Sequence, residues 1–121
     1  MNWTWIVVVG GVIAAVFLLK RVSFVSAKIA RQHLAEGALV IDVRSPEEFR
    51  GGHVPNAVNI PLRELHAQLP HHVKSKSHVL LLHCLSGGRS GIAKLQIKGM
   101  GYPNVFNLGS YGRAESILTG K

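Results

Sequence analysis

The chemistry of this chain is concentrated in one short run, His83-Cys84-Leu85-Ser86-Gly87-Gly88-Arg89-Ser90. It holds the chain's single cysteine. Gly87 and Gly88 let the backbone after Cys84 curl tightly, so that amides can turn inward as an anion-binding concavity. Ser90 begins a helix in this reading, and its N-terminal partial positive charge points back at the loop. Arg89 adds a full positive charge. Each feature favours a thiolate over a thiol, and an inert buried cysteine needs none of them. Cys84 is therefore read as a nucleophile. A lone cysteine makes no internal disulfide, and a reactive thiol fits a reducing compartment.

Such a loop needs a strand to deliver it. Residues 78–84, HVLLLHC, form the most strongly strand-like run of the chain and end on Cys84. Residues 38–43, ALVIDV, read as a second buried parallel strand. AVNI (57–60) and NVFNL (104–108) read as shorter ones. Between them lie helical stretches. AKIARQHLAE is capped by Ser26 and stopped by Gly37. SPEEF has Ser45 as cap and Pro46 in the first turn. LRELHAQL is brief and amphipathic. SGIAKLQIKGMG carries apolar Ile92, Leu95 and Ile97, and YGRAESILTG closes the chain. Strands alternating with helices predict an α/β domain with a mostly parallel sheet flanked by helices. Ligands of such sheets sit beyond the carboxyl ends of the strands, where Cys84 falls. Asp42 and Arg44 end the neighbouring strand and read as a structural ion pair supporting the site. His53 reads as a hydrogen-bonding turn residue. His83 points away from Cys84 if the strand alternates, and His71-His72 reads as a surface pair. No metal-ligand spacing stands out.

Charge divides the chain in two. The first nineteen residues carry no charged side chain, although the net charge of the whole is +8. Without Lys20 and Arg21, the remainder holds twelve basic and six acidic side chains. A basic surface suits an anionic lipid or an anionic substrate. No basic run with interleaved aromatics suggests a nucleic-acid groove, so nucleic acid is not an expected partner. The seventeen residues 3–19, WTWIVVVGGVIAAVFLL, span about 25 Å as a helix, near the lower limit for a bilayer. Trp3 and Trp5 suit one interface and Lys20-Arg21 the other. Residues 1–21 are therefore expected to be a single-pass transmembrane anchor, and residues 22–121 a domain on the cytoplasmic side of the cell membrane. A cleaved signal peptide is the alternative, with Val25-Ser26-Ala27 as its small-residue site. The start MNWTW, with no basic side chain, argues against it.

The loop resembles those of two families with related chemistry. Cysteine phosphatases place five residues between cysteine and arginine, in a ring that encircles a phosphoryl group. Here four residues separate Cys84 from Arg89, which resembles the tighter loop of the rhodanese sulfurtransferases, sized for one sulfur atom. Two further segments agree. LVIDVRSPEEFRGGHVPNAVNIPL (39–62) resembles the rhodanese family's first characteristic segment: Asp42-Val43-Arg44 matches its Asp-Val-Arg, and Gly52-His53-Val54-Pro55 its Gly-His-Ile-Pro turn. GYPNVFNL (101–108) resembles its late strand. Asn56 departs from a common glycine, and the tail lacks a tryptophan that many members carry. The resemblance covers about residues 24–118 and implies a rhodanese-like fold with sulfur transfer through a Cys84 persulfide. It implies that the loop amides of Leu85, Ser86, Gly87, Gly88 and Arg89 hold the terminal sulfur, and that the Arg89 side chain binds the donor and keeps Cys84 ionised. Ser90 supports the loop as the start of its helix. The expected partners are a small anionic sulfur donor such as thiosulfate, and a thiol, cyanide or sulfur-accepting protein. No cofactor is required. A non-catalytic docking module and a cysteine phosphatase or arsenate reductase are the competing readings.

Overall fold

A computed structural model describes residues 2–120, the side chains of residues 19–23 excepted. The Lys20-Arg21 flank expected at a membrane interface thus lies outside the described side chains, as do the terminal Met1 and Lys121.

Four parallel strands form the sheet: β1 (Leu39–Asp42), β2 (Val58–Asn59), β3 (Leu80–His83) and β4 (Val105–Gly109), in the order β2-β1-β3-β4. Helices α2 (Ala27–Ala35) and α6 (Tyr111–Thr119) cover one face, and α4 (Leu65–His72) and α5 (Gly88–Gly99) the other. A short α3 (Pro46–Arg50) follows β1, and a 3-10 turn (Leu62–Glu64) leads into α4. Alternation along β3 explains why every residue of it is buried. Leu80, Leu82 and then Cys84 join Ile41, Val43, Leu65, Leu69 and Ile97 under α4 and α5. Leu81 joins Val40, Leu108, Ala30 and Ala114 under α2 and α6. A parallel sheet covered on both faces must read as apolar runs rather than alternation, and β1 and β3 do.

Local signals set the helix starts. The Ser26 hydroxyl accepts from the Ile29 amide at 3.2 Å to open α2. Ser45 and Glu48 form a reciprocal capping box on α3, with Pro46 in its first turn. Asn56, where the related pattern has glycine, takes φ 66°, a left-handed conformation asparagine tolerates better than most residues. Helix α5 corrects one expectation. It begins at Gly88, ahead of Ser90, because Gly87 at φ 98° takes the N-cap position and its carbonyl accepts from the Gly91 amide at 3.1 Å. Its inward stripe is Ser90, Ala93 and Ile97, while Ile92 and Leu95 stand 59% and 73% exposed.

At the residues before Phe24 the expectation and the structure part. Helix α1 (Thr4–Ser23) forms, and every described side chain from Asn2 to Leu18 is exposed. Among the described residues, however, no helix is long and apolar enough to cross a membrane.

Candidate active site

Cys84 follows the last residue of β3 and is fully buried. The backbone leaves it in a turn that brings the amide of Gly87 to 3.0 Å from Sγ. The Ser90 hydroxyl lies 3.5 Å from the same sulfur. Burial is the largest single influence on the thiol and pushes it up. The Ser90 hydroxyl and the amides of Ser90, Gly87 and Ser86 together outweigh it, so the thiol lies below its ordinary value. The donors are neutral, and two lie in the first turn of α5, where the helix concentrates its unpaired N–H groups.

Ser90 has one hydroxyl proton and two acceptors in reach. Asn107 Oδ1, at 2.7 Å, is the shorter contact. Asn107 is itself fixed, because its Oδ1 also accepts from the Gly109 amide at 2.9 Å and its Nδ2 donates to the Gly87 carbonyl at 3.2 Å. The loop is therefore clamped from behind by a buried asparagine on β4. β4 also carries one extra residue opposite Leu82-His83, so Gly109 rather than Leu108 pairs with His83. That irregularity places the Gly109 carbonyl to accept from the Cys84 amide at 3.2 Å; bulges next to active sites re-aim chains in this way. The Phe24 ring closes the back wall. A Cβ on Gly87 would meet its Cζ at 2.7 Å, and one on Gly109 its Cε2 at 3.0 Å, so both glycines are needed for this approach.

The predicted site residues divide by position. Leu85 and Ser86 form the outer, exposed lip of the loop, and the Leu85 carbonyl is held by the Tyr111 amide at 3.1 Å. Arg89 is not free. Its Nη1 donates to Glu48 Oε1 at 2.7 Å and its Nη2 to Oε2 at 3.0 Å. The pair holds the Glu48 carboxyl at about 2, chiefly through the Arg89 hydrogen bond. The leading influences that lower the Cys84 thiol are thus a hydroxyl and amides, while the Arg89 guanidinium is paired with the Glu48 carboxylate and also feels the charge of Cys84. Asp42 and Arg44 form the anticipated ion pair, both buried, with Arg44 Nη2 at 2.8 Å from Asp42 Oδ2. The same nitrogen donates to the Gly52 carbonyl at 2.7 Å, and the guanidinium stacks 4.6 Å above the Tyr111 ring. This pair ties down the turn after α3. His53 accepts that turn role too, with Nδ1 3.0 Å from the Phe49 carbonyl and its ring stacked on Phe49. His83 is buried on the Asp42 side, and burial above all lowers its pKa. Among the described residues no group of His, Cys, Asp and Glu could hold a metal ion.

Glu48, Asn107 and Phe24 escaped the sequence reading. Glu48 was visible only as one of the two acids after Pro46, and its partnership with Arg89 joins positions 41 apart in sequence. Asn107 did carry a signal, a polar residue inside an otherwise apolar strand.

A parallel sheet with a cysteine beyond its central strand, ringed by amides in a six-residue loop, defines a class of proteins built to stabilise an anionic sulfur. A model of the rhodanese-like domain matches residues 26–112, and the chain belongs to that family. It is 41% identical over 69 residues to PspE of Escherichia coli K12, named a thiosulfate sulfurtransferase, over 57% of this chain and 66% of that protein. The chain spans less than two thirds of the first curated relatives it matches. Among solved structures, a rhodanese with anions from E. coli superposes with a TM-score of 0.62 at 36% identity, covering 64% of this chain and 91% of that one. The human single-domain sulfurtransferase TSTD1 gives 0.65 at 30% identity, covering 76% and 94%.

Proposed function

We propose that the chain is a thiosulfate sulfurtransferase-like enzyme working through a Cys84 persulfide. The observation that carries this reading is the Cys84 sulfur itself, buried yet favoured as a thiolate by the Ser90 hydroxyl and by inward amides, one of them 3.0 Å away. Sulfurtransferase names among its relatives support it. The thiolate attacks the outer sulfur of thiosulfate, the S–S bond of the donor breaks, and sulfite leaves with the electron pair. The negative terminal sulfur of the new persulfide is then held by the loop amides. A thiol or cyanide attacks that sulfur and restores the Cys84 thiolate, a ping-pong scheme without a cofactor. Intact-protein mass spectrometry after thiosulfate treatment tests it. One added sulfur should appear and be absent in Cys84→Ser, while the variant keeps its fold. No adduct in the wild type would favour a docking role for the domain.

We propose separately that the domain lies at the cytoplasmic face of the cell membrane. Support comes from α1, whose described side chains are exposed and almost wholly apolar. A helix that is apolar all round is normally buried in protein or lipid. The excess of basic side chains after residue 21 would add attraction to anionic lipid. Retention on membranes after a high-salt wash, with a C-terminal reporter reading cytoplasmic, is the expected result. A mature N-terminus at Lys28 would instead indicate export.

A further inference from the structure

The Ser90 hydroxyl is offered two acceptors and has one proton. Cys84, Ser90 and Asn107 are all shielded from solvent, so bulk water does not compete for it. Asn107 Oδ1 lies at 2.7 Å and Cys84 Sγ at 3.5 Å. A neutral thiol sulfur is a weak acceptor, and the amide oxygen takes the proton from it. A thiolate differs, because a hydrogen bond to an ionised acceptor is roughly twice as strong. Asn107 can release the proton without being stranded. Its Oδ1 keeps the Gly109 amide at 2.9 Å, and its Nδ2 keeps the Gly87 carbonyl at 3.2 Å. The side chain therefore stays in place whichever way the hydroxyl points.

We propose that Asn107 is a positioning residue that holds the Ser90 proton whenever Cys84 Sγ is uncharged and yields it whenever Sγ becomes an anion. No covalent bond forms or breaks; the hydroxyl turns about its Cβ–Oγ bond. In the neutral thiol, Ser90 donates to Asn107 and its oxygen is open to the S–H. On ionisation the hydroxyl turns to the sulfur. The consequence for turnover rests on the sulfurtransferase reading. In the persulfide the charge sits on the terminal sulfur, so Sγ is neutral and the proton returns to Asn107. It comes back to Sγ when the acceptor removes the outer sulfur and Cys84 leaves as a thiolate. The sulfur thus gains the difference between two hydrogen bonds, not the whole of one. Its pKa falls less than Ser90 alone would make it fall, and the thiolate keeps more of its nucleophilicity. The ionisable groups around the loop act on the sulfur with or without Ser90. Arg89 is paired with Glu48 and feels the Cys84 charge. His83 lies 3.4 Å from the Cys84 carbonyl and 3.8 Å from Asp42, which is paired with Arg44, and Tyr111 of α6 packs edge-on to the His83 ring.

The test is a double-mutant cycle on the full chain, read as the pH midpoint of Cys84 alkylation. Asn107→Leu should lower the midpoint and make alkylation about threefold faster below it, because Ser90 is freed for the sulfur. In the Ser90→Ala background the same substitution should not lower it. A residue that only shapes the loop would raise the midpoint, and by the same amount in both backgrounds. A rise, or an equal shift with and without Ser90, would overturn the proposal. If Asn107→Leu does not fold, the wild-type chain decides through carbon-13 NMR of its asparagine Cγ atoms. The Asn107 signal should titrate with Cys84 and stop doing so in Ser90→Ala. A signal that ignores Cys84 ionisation, or follows it equally without Ser90, overturns the role given to Asn107. Loading with thiosulfate should return the signal to its low-pH position, and a loaded protein whose signal stays at the thiolate position counts against the proposal. Failure to load at all would overturn the sulfurtransferase reading alone, because the titration needs no donor.

Discussion

The carboxyl ends of β1 and β3 lie side by side, with Asp42 paired in register to His83, yet they are held by opposite means. After β1, a full ion pair is buried: Asp42 against Arg44, with Arg44 also reaching the Gly52 carbonyl. After β3, the sulfur of Cys84 is met by amides and a hydroxyl, and the nearby guanidinium of Arg89 is given to Glu48. The difference teaches where each kind of interaction is useful. A buried ion pair is rigid and suits a turn that must never move. Neutral dipoles suit a sulfur whose charge comes and goes, because they stabilise the anion without a counter-ion that would compete with an incoming substrate.

Three substitutions break this comparison at different points. Asp42→Asn should have the largest effect, a loss of about 3–5 kcal/mol in chemical denaturation, because it leaves the Arg44 cation buried beside a neutral amide. It should shift the Cys84 alkylation midpoint less than Ser90→Ala does. Gly87→Ala should follow. Its φ of 98° disfavours a side chain by about 1–3 kcal/mol, and the new methyl would displace Phe24, so both melting temperature and sulfur loading should fall. The smallest effect on stability belongs to Ser90→Ala, and its signature is in titration. Thiolate alkylation rises with pH through the thiol's lowered pKa. Removing the hydroxyl takes away a group that favours the anion, so the midpoint should move to higher pH and loading should slow most at neutral pH and below. An unmoved midpoint would assign the sulfur's charge to the amides alone.

The legible parts of the molecule were those encoded locally. The run of leucines in β3 has one reading in a doubly covered sheet, and Ser45-Pro46-Glu47-Glu48 spells a helix start from neighbours alone. The loop after Cys84 was equally plain, since its glycines and its cysteine lie within six positions. Long-range pairings were not legible. Nothing near Arg89 announces that its partner is Glu48, and nothing in NVFNL says that Asn107 clamps Gly87 and Ser90. The inward stripe of α5 was not legible either, for a physical reason: Ala93 and Ser90 pack closely against the sheet because they are small, and the larger Ile92 and Leu95 are left outside.

Phe24 gives the molecule a mechanical property. It is the first residue after α1, with no slack between them, and its ring presses on Gly87 and Gly109. The strand-like pairing of Phe24 with Asn107, and the Val25 amide donating to the Asn107 carbonyl at 2.9 Å, fasten that point to the asparagine that clamps the loop. A pull along α1 is therefore delivered to the wall of the sulfur pocket before it reaches any other part of the domain.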